Sequence, residues 1–396
     1  MELVRKIKSL KHYFLIGLGV LAGRSITGPL IVQIDLTNKC NNRCIACWCR
    51  SPFLKDLAMS PEEIKQEIPF KKIEELVKEF NELGVREVYL TGGGEPFMHS
   101  NSMQVIKLIK KYGMRCAMST NFTLLSKKML RELVGLGVDE MNISIWAATA
   151  ETYNKTHLGS EPNTFFKLKE NLKFLNEIKK VNRVSKPFVN IHNVLMNVNA
   201  HEFNEMIKFA FEVGADSVDF TPVDIIPKKT SFLQISKKQA KVLLKEISEL
   251  DLLTNQLETT YQSKTKVKNI ELLKIRLQNM IKYTSYDNIV VDSMPCYAGW
   301  TFARIMANGN VIPCLKAHRI PSGNIFKENF KDIWYGEKQN FFRKKTFKYK
   351  KEGNFFKYIG NDPHARSGCK KECDNIEMNA HIHKLMAPLL FFKKLT

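Results

Sequence analysis

Three thiols stand at Cys40, Cys44 and Cys47, inside a stretch from Asp35 to Cys47 that reads DLTNKCNNRCIAC and follows an apolar, β-branched run. Sulfurs this close can hold an iron-sulfur cluster. A [4Fe-4S] cube takes four thiolates, so a loop that supplies three leaves one iron open to a substrate or cofactor. Two other chemistries use closely spaced cysteines. The chain has 9 cysteines, and an odd total argues against a fully paired disulfide framework. Structural zinc usually draws two ligands from each of two short knuckles, whereas here three come from one loop. A second set, Cys296, Cys314, Cys369 and Cys373, is complete for one cluster or for one structural zinc. Cys49, two residues past the first set, is open to three readings: a packed spectator, a redox-active thiol or an alternative ligand.

The elements that must position these groups follow from periodicity. From residue 30 onward short apolar strands alternate with helical runs: LIVQIDLT, REVYLTG, RCAMSTN, EMNISIW, FVNIHNVLM and SVDFTPV. Gly84, Gly113, Gly137 and Gly214 each close a helical run and lead into a strand. The intervening runs keep helical spacing, as in Phe203, Met206, Ile207, Ala210 and Phe211. Serial βα units with short loops force a parallel sheet with right-handed crossovers. The expected fold is therefore α/β, a partial (β/α)6 parallel barrel followed by a small α+β cysteine-containing C-terminal domain. Parity along each strand separates a polar set, including Gln33, Asp35, Tyr89, Ser119, Asn142, Ser144, Asn190, His192 and Asp219, from an apolar one. A sheet covered by core on both faces would be apolar in both sets, so the polar set should line a wet or ligand-filled lumen. Cys116 falls on the helix side, where packing is its expected role.

In such sheets the working residues gather at the C-terminal ends of the strands. The cysteine loop follows the first strand, TGGGEP (91–96) the second, and Ser119, Thr120 and Asn121 end the third. This arrangement of CxxxCxxC, GGE and STN segments resembles the radical S-adenosylmethionine (SAM) superfamily. The resemblance implies that SAM chelates the open iron and that the reduced cluster cleaves it to a 5′-deoxyadenosyl radical, which abstracts a substrate hydrogen. It further implies that Gly93, Gly94 and Glu95 meet the SAM amino group, so that a side chain at Gly94 would obstruct SAM and leave the cluster intact. Ser119 and Asn121 would serve ribose hydroxyls or the SAM carboxylate, and Ser144 that carboxylate. Asn190 and His192 are the next contacts by geometry, although His192 also suits a hydrogen-bonded core. A reductant such as flavodoxin or ferredoxin is implied. Two departures stand out: Ala46 replaces the usual aromatic before the third cysteine, with Trp48 following it, and Phe122 replaces a glycine.

Further on, two strand-like runs flank Asn308 and Gly309, a hairpin signal. With the second cysteine set and GNIFKENFKDIWYG, this region resembles the SPASM or twitch extension of radical SAM enzymes. A full SPASM region carries about seven cysteines for two clusters, so a single auxiliary [4Fe-4S] cluster is implied here, with structural zinc as the alternative. The expected division is 1–29, a basic and apolar helix; 30–224, the radical SAM core; 225–290, a helical linker region; 291–375, the auxiliary-cluster domain; and 376–396, a basic amphipathic tail. The implied activity is oxidation or modification of a small-molecule or peptide substrate, of the peptide maturase or alcohol and sugar dehydrogenase type. In it the auxiliary cluster accepts an electron.

With 396 residues, 44% of them hydrophobic, the chain can bury a sizeable core and is not disordered. Its net charge of +21 suits an anionic partner or a lysine-rich solvated surface. Arg5, Lys6, Lys8 and Lys11 precede an apolar stretch, Tyr13 to Gly23, that is shorter than the ~20 residues needed to span a bilayer. The C-terminal HKLMAPLLFFKKLT has the same character. Free-thiol clusters fit the cytoplasm, and the two ends suit peripheral contact with a membrane surface. Between Lys338 and Lys351 basic residues interleave with Phe341, Phe342, Phe347 and Tyr349. Such mixtures can bind single-stranded RNA, so the rival reading is an RNA-modifying or RNA-binding protein with a zinc-stapled tail.

Overall fold

The computed structural model describes residues 2–283, 285–360 and 368–393. All six expected strands form: β1 (Ile31–Asp35), β2 (Glu87–Thr91), β3 (Arg115–Thr120), β4 (Glu140–Ser144), β5 (Phe188–Leu195) and β6 (Ser217–Pro222). They pair in parallel and in chain order. Gly84, Gly113, Gly137 and Gly214 take positive φ angles of 75°, 72°, 65° and 68°, the left-handed conformation that ends a helix without a Cβ penalty. Burial alternates as parity requires: Val88, Leu90, Met141 and Ile143 are sealed beneath helices, while Tyr89, Thr91, Asn142 and Ser144 are half-buried on the opposite face.

Two further features extend this core. Among the described residues the sheet has ten strands, because β7 (Lys266–Val267) pairs in parallel with β6, and β8 (Phe302–Ile305) pairs in parallel with β1 at the other edge. From β8 the chain turns at Asn308 and Gly309 into β9 (Asn310–Ile312) and β10 (Gly323–Asn324), both antiparallel. The hairpin of the C-terminal cysteine region thus lengthens the barrel sheet, a continuity that local sequence pattern does not reveal. Residues 225–290 form helices at Lys237–Ser248, Leu250–Tyr261 and Ile270–Tyr283. Their Leu243, Ile247, Leu273 and Leu277 enter the same apolar core as the barrel strands, so the region expected as a linker is packed on the barrel.

The ends of the chain meet. The N-terminal helix, Glu2–Leu21, buries Ile16 and Val20 against Tyr297, Trp300 and, on the C-terminal helix Ile376–Lys393, Ile382 and Met386. Its outer face leaves Leu10, Phe14 and Leu18 exposed by 71%, 65% and 40%. Met1 and residues 394–396 of the basic tail lie outside the described residues. The basic and aromatic run near Lys338 does not form one open surface. Arg343 is fully buried and donates to the carbonyls of Gly299 (2.7 Å) and Trp334 (2.9 Å), while the buried Lys351 ammonium donates to carbonyls including those of Val291 (2.9 Å) and Met294 (2.8 Å).

Candidate active site

The cysteine loop leaves β1 at Asp35 and crosses the mouth of the barrel, fastened to successive strand ends. Beyond β2, the Glu95 amide donates to the Lys39 carbonyl (2.8 Å). At the end of β3, the Asn121 side-chain amide donates to Asn41 Oδ1 (2.9 Å) and lies 3.9 Å from Cys40 Sγ. After β4 the Ile45 amide donates to the Thr156 carbonyl (3.0 Å), and Cys44 pairs with His157 in a two-residue ladder. Ile45 then packs on Met196 and Val223, beyond β5 and β6.

The glycine run is there for close approach. A Cβ on Gly94 would stand 2.0 Å from the Lys39 carbonyl oxygen, and one on Gly93 would stand 2.3 Å from Asn38 Oδ1. Gly94 therefore packs against the cysteine loop itself, which corrects the expectation that a side chain there would disturb SAM alone. Glu95 is 2% exposed and accepts from Thr120 Oγ1 (2.6 Å), the Asn121 amide (2.7 Å) and the Phe97 amide (3.3 Å). Burial pushes its pKa up to about 7 against these donors. Its carboxyl ties the β2 loop to the β3 loop and uses three of about four acceptor positions doing so. The departure at Phe122 is resolved by strain: it takes φ 62°, the left-handed conformation a glycine would supply, with its ring fully buried. Trp146, just after β4, is likewise left-handed at φ 59°.

A hydrogen-bonded chain crosses the polar face of the sheet. Ser119 meets the Tyr89 hydroxyl (2.7 Å), which accepts from Asn142 (2.6 Å); Asn142 accepts from Asn190 (2.9 Å), and Asn190 donates also to Asp219 (2.6 Å). His192 Nδ1 stands 3.2 Å from both Asp219 oxygens. Burial alone would lower the histidine pKa, but the Asp219 charge outweighs it and raises it. Ser144 is opposite His192 in the β4–β5 register. Ser119, Ser144 and His192 thus share the polar face, while Gly93, Gly94, Glu95 and Asn121 cluster at the cysteine loop. Cys116 is fully buried on the helix side, where desolvation pushes its thiol up to about 12.

One buried residue escaped the reading of the motifs. Arg304 on β8 binds Asp35 through Nε (3.0 Å) and Nη2 (2.7 Å), with the two side chains 3% and 1% exposed. The guanidinium also lies 5.1 Å from the Trp48 ring centroid. Asp35 is therefore closed off by the neighbouring strand and does not face an open lumen. Trp48 faces Arg304 and the His318 ring, at 6.3 Å. The available signal was a lone arginine within the apolar run FARIMA.

Both cysteine sets suit iron-sulfur groups by donor chemistry and surroundings. Burial raises Cys40 to about 11 and raises Cys44, whereas a hydrogen bond from the Cys49 side chain, which outweighs burial, brings Cys47 down to about 6. Cys49 is a sealed neighbour of the Cys47 thiol. Around this loop the buried Asn42 Nδ2 and Tyr153 hydroxyl lack a hydrogen bond of ordinary geometry, as donors facing an anionic sulfur group would without it. Cys296, Cys314, Cys369 and Cys373 line one cavity, together with Lys316, Lys351, Glu372, Asp374 and apolar side chains that include Met294 and Phe356. Lys316 is paired with Asp224, Glu372 and Asp374 and Lys351 with backbone carbonyls, so what suits a cluster is the four thiols gathered in one buried, largely apolar cavity.

The radical SAM superfamily profile matches residues 34–210, and that of an iron-sulfur cluster-binding domain, SPASM, matches residues 296–354. A probable GTP 3′,8-cyclase of Thermococcus kodakarensis is 30% identical over 194 residues, 48% of this chain and 55% of that protein, so the chain spans about half of that relative's length. The tungsten-containing aldehyde ferredoxin oxidoreductase cofactor-modifying protein of Pyrococcus furiosus is 25% identical over 80% of this chain and 84% of its own. The PqqA peptide cyclase of Bradyrhizobium diazoefficiens is 24% identical over 74% and 68%. Among solved structures, native anSMEcpe with bound AdoMet aligns with a TM-score of 0.58 at 16% identity, covering 92% of this chain and 98% of that one. Streptococcus suis SuiB bound to S-adenosylmethionine aligns at 0.57 and 18%, covering 78% and 66%. A [4Fe-4S] cluster and SAM are the cofactors of the first domain, and auxiliary iron-sulfur belongs to the second. With both domains present, in this order and on one continuous sheet, the chain belongs to the radical SAM superfamily and carries a C-terminal SPASM extension.

Proposed function

We propose that this enzyme oxidises or otherwise modifies a peptide or small-molecule substrate by hydrogen abstraction, with residues 30–224 generating the radical and residues 291–375 holding an auxiliary [4Fe-4S] cluster. The cofactors supply the radical chemistry: reductive cleavage of SAM to a 5′-deoxyadenosyl radical, and an electron sink for the substrate radical. The chain's own residues supply placement. Cys40, Cys44 and Cys47 are the ligands of the first cluster; Gly93, Gly94, Glu95, Ser119, Asn121, Ser144 and His192 surround SAM or the substrate beside it. Cys296, Cys314, Cys369 and Cys373 hold the second cluster. The observation that carries this reading is the convergence of those four thiols, drawn from residues far apart in sequence, on a single cavity lined by Lys316 and Lys351. Peptide substrates are supported by the PqqA peptide cyclase relative and by the structural likeness to SuiB, which was also solved bound to the precursor peptide SuiA.

Anaerobic reconstitution tests the assignment. The wild type should hold about 8 irons per chain, and about 4 when the second set is replaced by Ala. That variant should still form 5′-deoxyadenosine under dithionite but make no oxidised product. About 4 irons and one zinc in the wild type would refute the auxiliary cluster, zinc being redox-inert.

The exposed stripe Leu10, Phe14 and Leu18, spaced at helical intervals on a chain of net charge +21, supports peripheral contact with anionic lipid in a cytoplasmic protein. Among the described residues no helix is long and apolar enough to cross a membrane. Sedimentation with phosphatidylglycerol-containing vesicles, lost in L10S/F14S/L18S and absent with phosphatidylcholine alone, is the expected result. Equal sedimentation of the variant would remove the proposal.

A further inference from the structure

The short helix after β4, Ala150–Thr156, is held against the cysteine loop by an unusual amount of structure. Its N-terminal end is pinned by Glu202, which is 6% exposed and accepts from the Ala148 amide (2.7 Å), Thr149 Oγ1 (2.7 Å) and Thr152 Oγ1 (2.6 Å). Its C-terminal end is stitched to the loop by the Ile45–Thr156 hydrogen bond and the Cys44–His157 ladder described above. Tyr153 lies one turn before that seam. Its side chain is fully buried, and its ring stacks on His157 at 4.3 Å with an interplanar angle of 10°.

Such immobilisation leaves the Tyr153 O–H proton without an acceptor of ordinary geometry inside the protein. The hydroxyl makes no hydrogen bond of ordinary geometry, although a buried phenol O–H ordinarily finds a partner. Asn42, within the loop, is its polar neighbour, but Asn42 Nδ2 approaches the phenol oxygen as a donor and outside ordinary hydrogen-bond geometry, so it offers the O–H proton no acceptor. His157 does not take the proton either. Thr156 Oγ1 donates to the Thr152 carbonyl (2.9 Å) and so accepts from His157 Nδ1 (2.9 Å). The remaining Nε2 is an unpartnered acceptor on a ring stacked face to face with Tyr153, out of reach of an in-plane bond to the hydroxyl. What lies beside it is the cysteine loop: the ring is stacked on His157, which pairs with Cys44 in the ladder, and the hydroxyl lies in the field of Cys44 and Cys40.

We infer that Tyr153 donates a hydrogen bond to the iron-sulfur group held by Cys40, Cys44 and Cys47, and thereby raises its reduction potential. The inference rests on the cluster assignment proposed above. Donors to cluster and thiolate sulfurs stabilise the more electron-rich reduced state, so the hydroxyl makes reduction easier without acting as a ligand. Tyr153 is thus a tuning residue, and its ring, buried between His157 and Phe165, keeps the same packing when the oxygen alone is removed.

The test is potentiometry of reconstituted Y153F, followed by electron paramagnetic resonance of the reduced cluster. At a fixed potential near the wild-type midpoint, the reduced-to-oxidised ratio should fall about tenfold, a downward shift of ~59 mV for a one-electron couple. SAM affinity should be unchanged within about twofold. An unchanged midpoint overturns the inference, as does an unchanged midpoint with weakened SAM binding, which would give the hydroxyl to SAM. Loss of iron from a normally folded Y153F also overturns it, because a donor tunes a cluster and does not hold it. Should Y153F fail to fold, resonance Raman of the wild type decides: the iron-sulfur stretching bands must shift between H2O and D2O, and bands that do not move refute the donor. A wild type that loads no cluster on these three cysteines fails the proposed function instead, before Tyr153 is reached.

Discussion

At the scale of single residues, the cysteines and glycines were legible by type, and their reasons only partly so. The glycine run marks a close approach, but the backbone it approaches is the Lys39 carbonyl of the cysteine loop, 2.0 Å from where a Gly94 Cβ would be. Gly94→Val should therefore lower iron loading at the first site as well as SAM affinity. Gly135→Ala is the control, since a Cβ there meets nothing within 4 Å. Full iron content in Gly94→Val, with weakened SAM binding alone, would restore the simpler expectation. Replacing Cys40, Cys44 and Cys47 with Ala should abolish 5′-deoxyadenosine formation under dithionite while leaving the chain folded, since the loop lies outside the packed helix face. Phe122 shows why motif matching stops short. Its identity departs from glycine while its backbone, at φ 62°, keeps the glycine conformation, and no spacing rule reports that substitution.

Between elements, the strands were readable because parallel strands carry their own periodicity, but pairing across long sequence distances leaves no local mark. The β1–β8 pair is the case in point. Its register places Gln33 beside Arg304, which buries the Asp35–Arg304 pair at the base of the cysteine loop. Arg304→Met should cost about 3–5 kcal/mol, because it leaves Asp35 charged, buried and unpaired. Adding Asp35→Asn should recover much of that loss in the thermal unfolding midpoint. If the double variant melts no higher than the single one, the cost is one of packing and not of charge. A second clasp joins β3, the helix Ser102–Lys111 and the segment before β5. Asp139 accepts from the Cys116 amide (3.0 Å) and from Lys110 (2.5 Å), and is paired with Lys186. Burial would raise its pKa, but the two ammonium groups and the amide outweigh burial and lower it. Its contribution is therefore complete above the unfolded value of ~3.9 and is lost as pH falls through the lower folded value. Asp139→Asn should be less stable at neutral pH and show a shallower acid limb; an acid limb that overlays the wild type would discount the clasp.

Across the whole molecule, charge was the least informative property of the sequence. The +21 invited a nucleic-acid reading, yet Arg343 and Lys351, two of the cations in its most suggestive run, are buried and spend their donors on backbone carbonyls. What organises the molecule is that its two functional regions share structure in two places. Removing residues beyond 292 would strip β8 from β1 and leave Asp35 without Arg304; it would also take Tyr297, Trp300, Ile382 and Met386 from beneath the N-terminal helix. That exposes a strand edge and an apolar helix face together, both of them aggregation surfaces. A chain ending at Asp292 should therefore be recovered as aggregate or with an apolar surface that binds dye, and should load fewer irons at the first site than the full-length quadruple cysteine variant. The comparison matters because the quadruple variant loses the auxiliary cluster but keeps β8 and Arg304. A truncated chain that is monomeric, melts like the full-length quadruple variant and holds about four irons would show that the shared sheet is dispensable and that the two regions are independent domains.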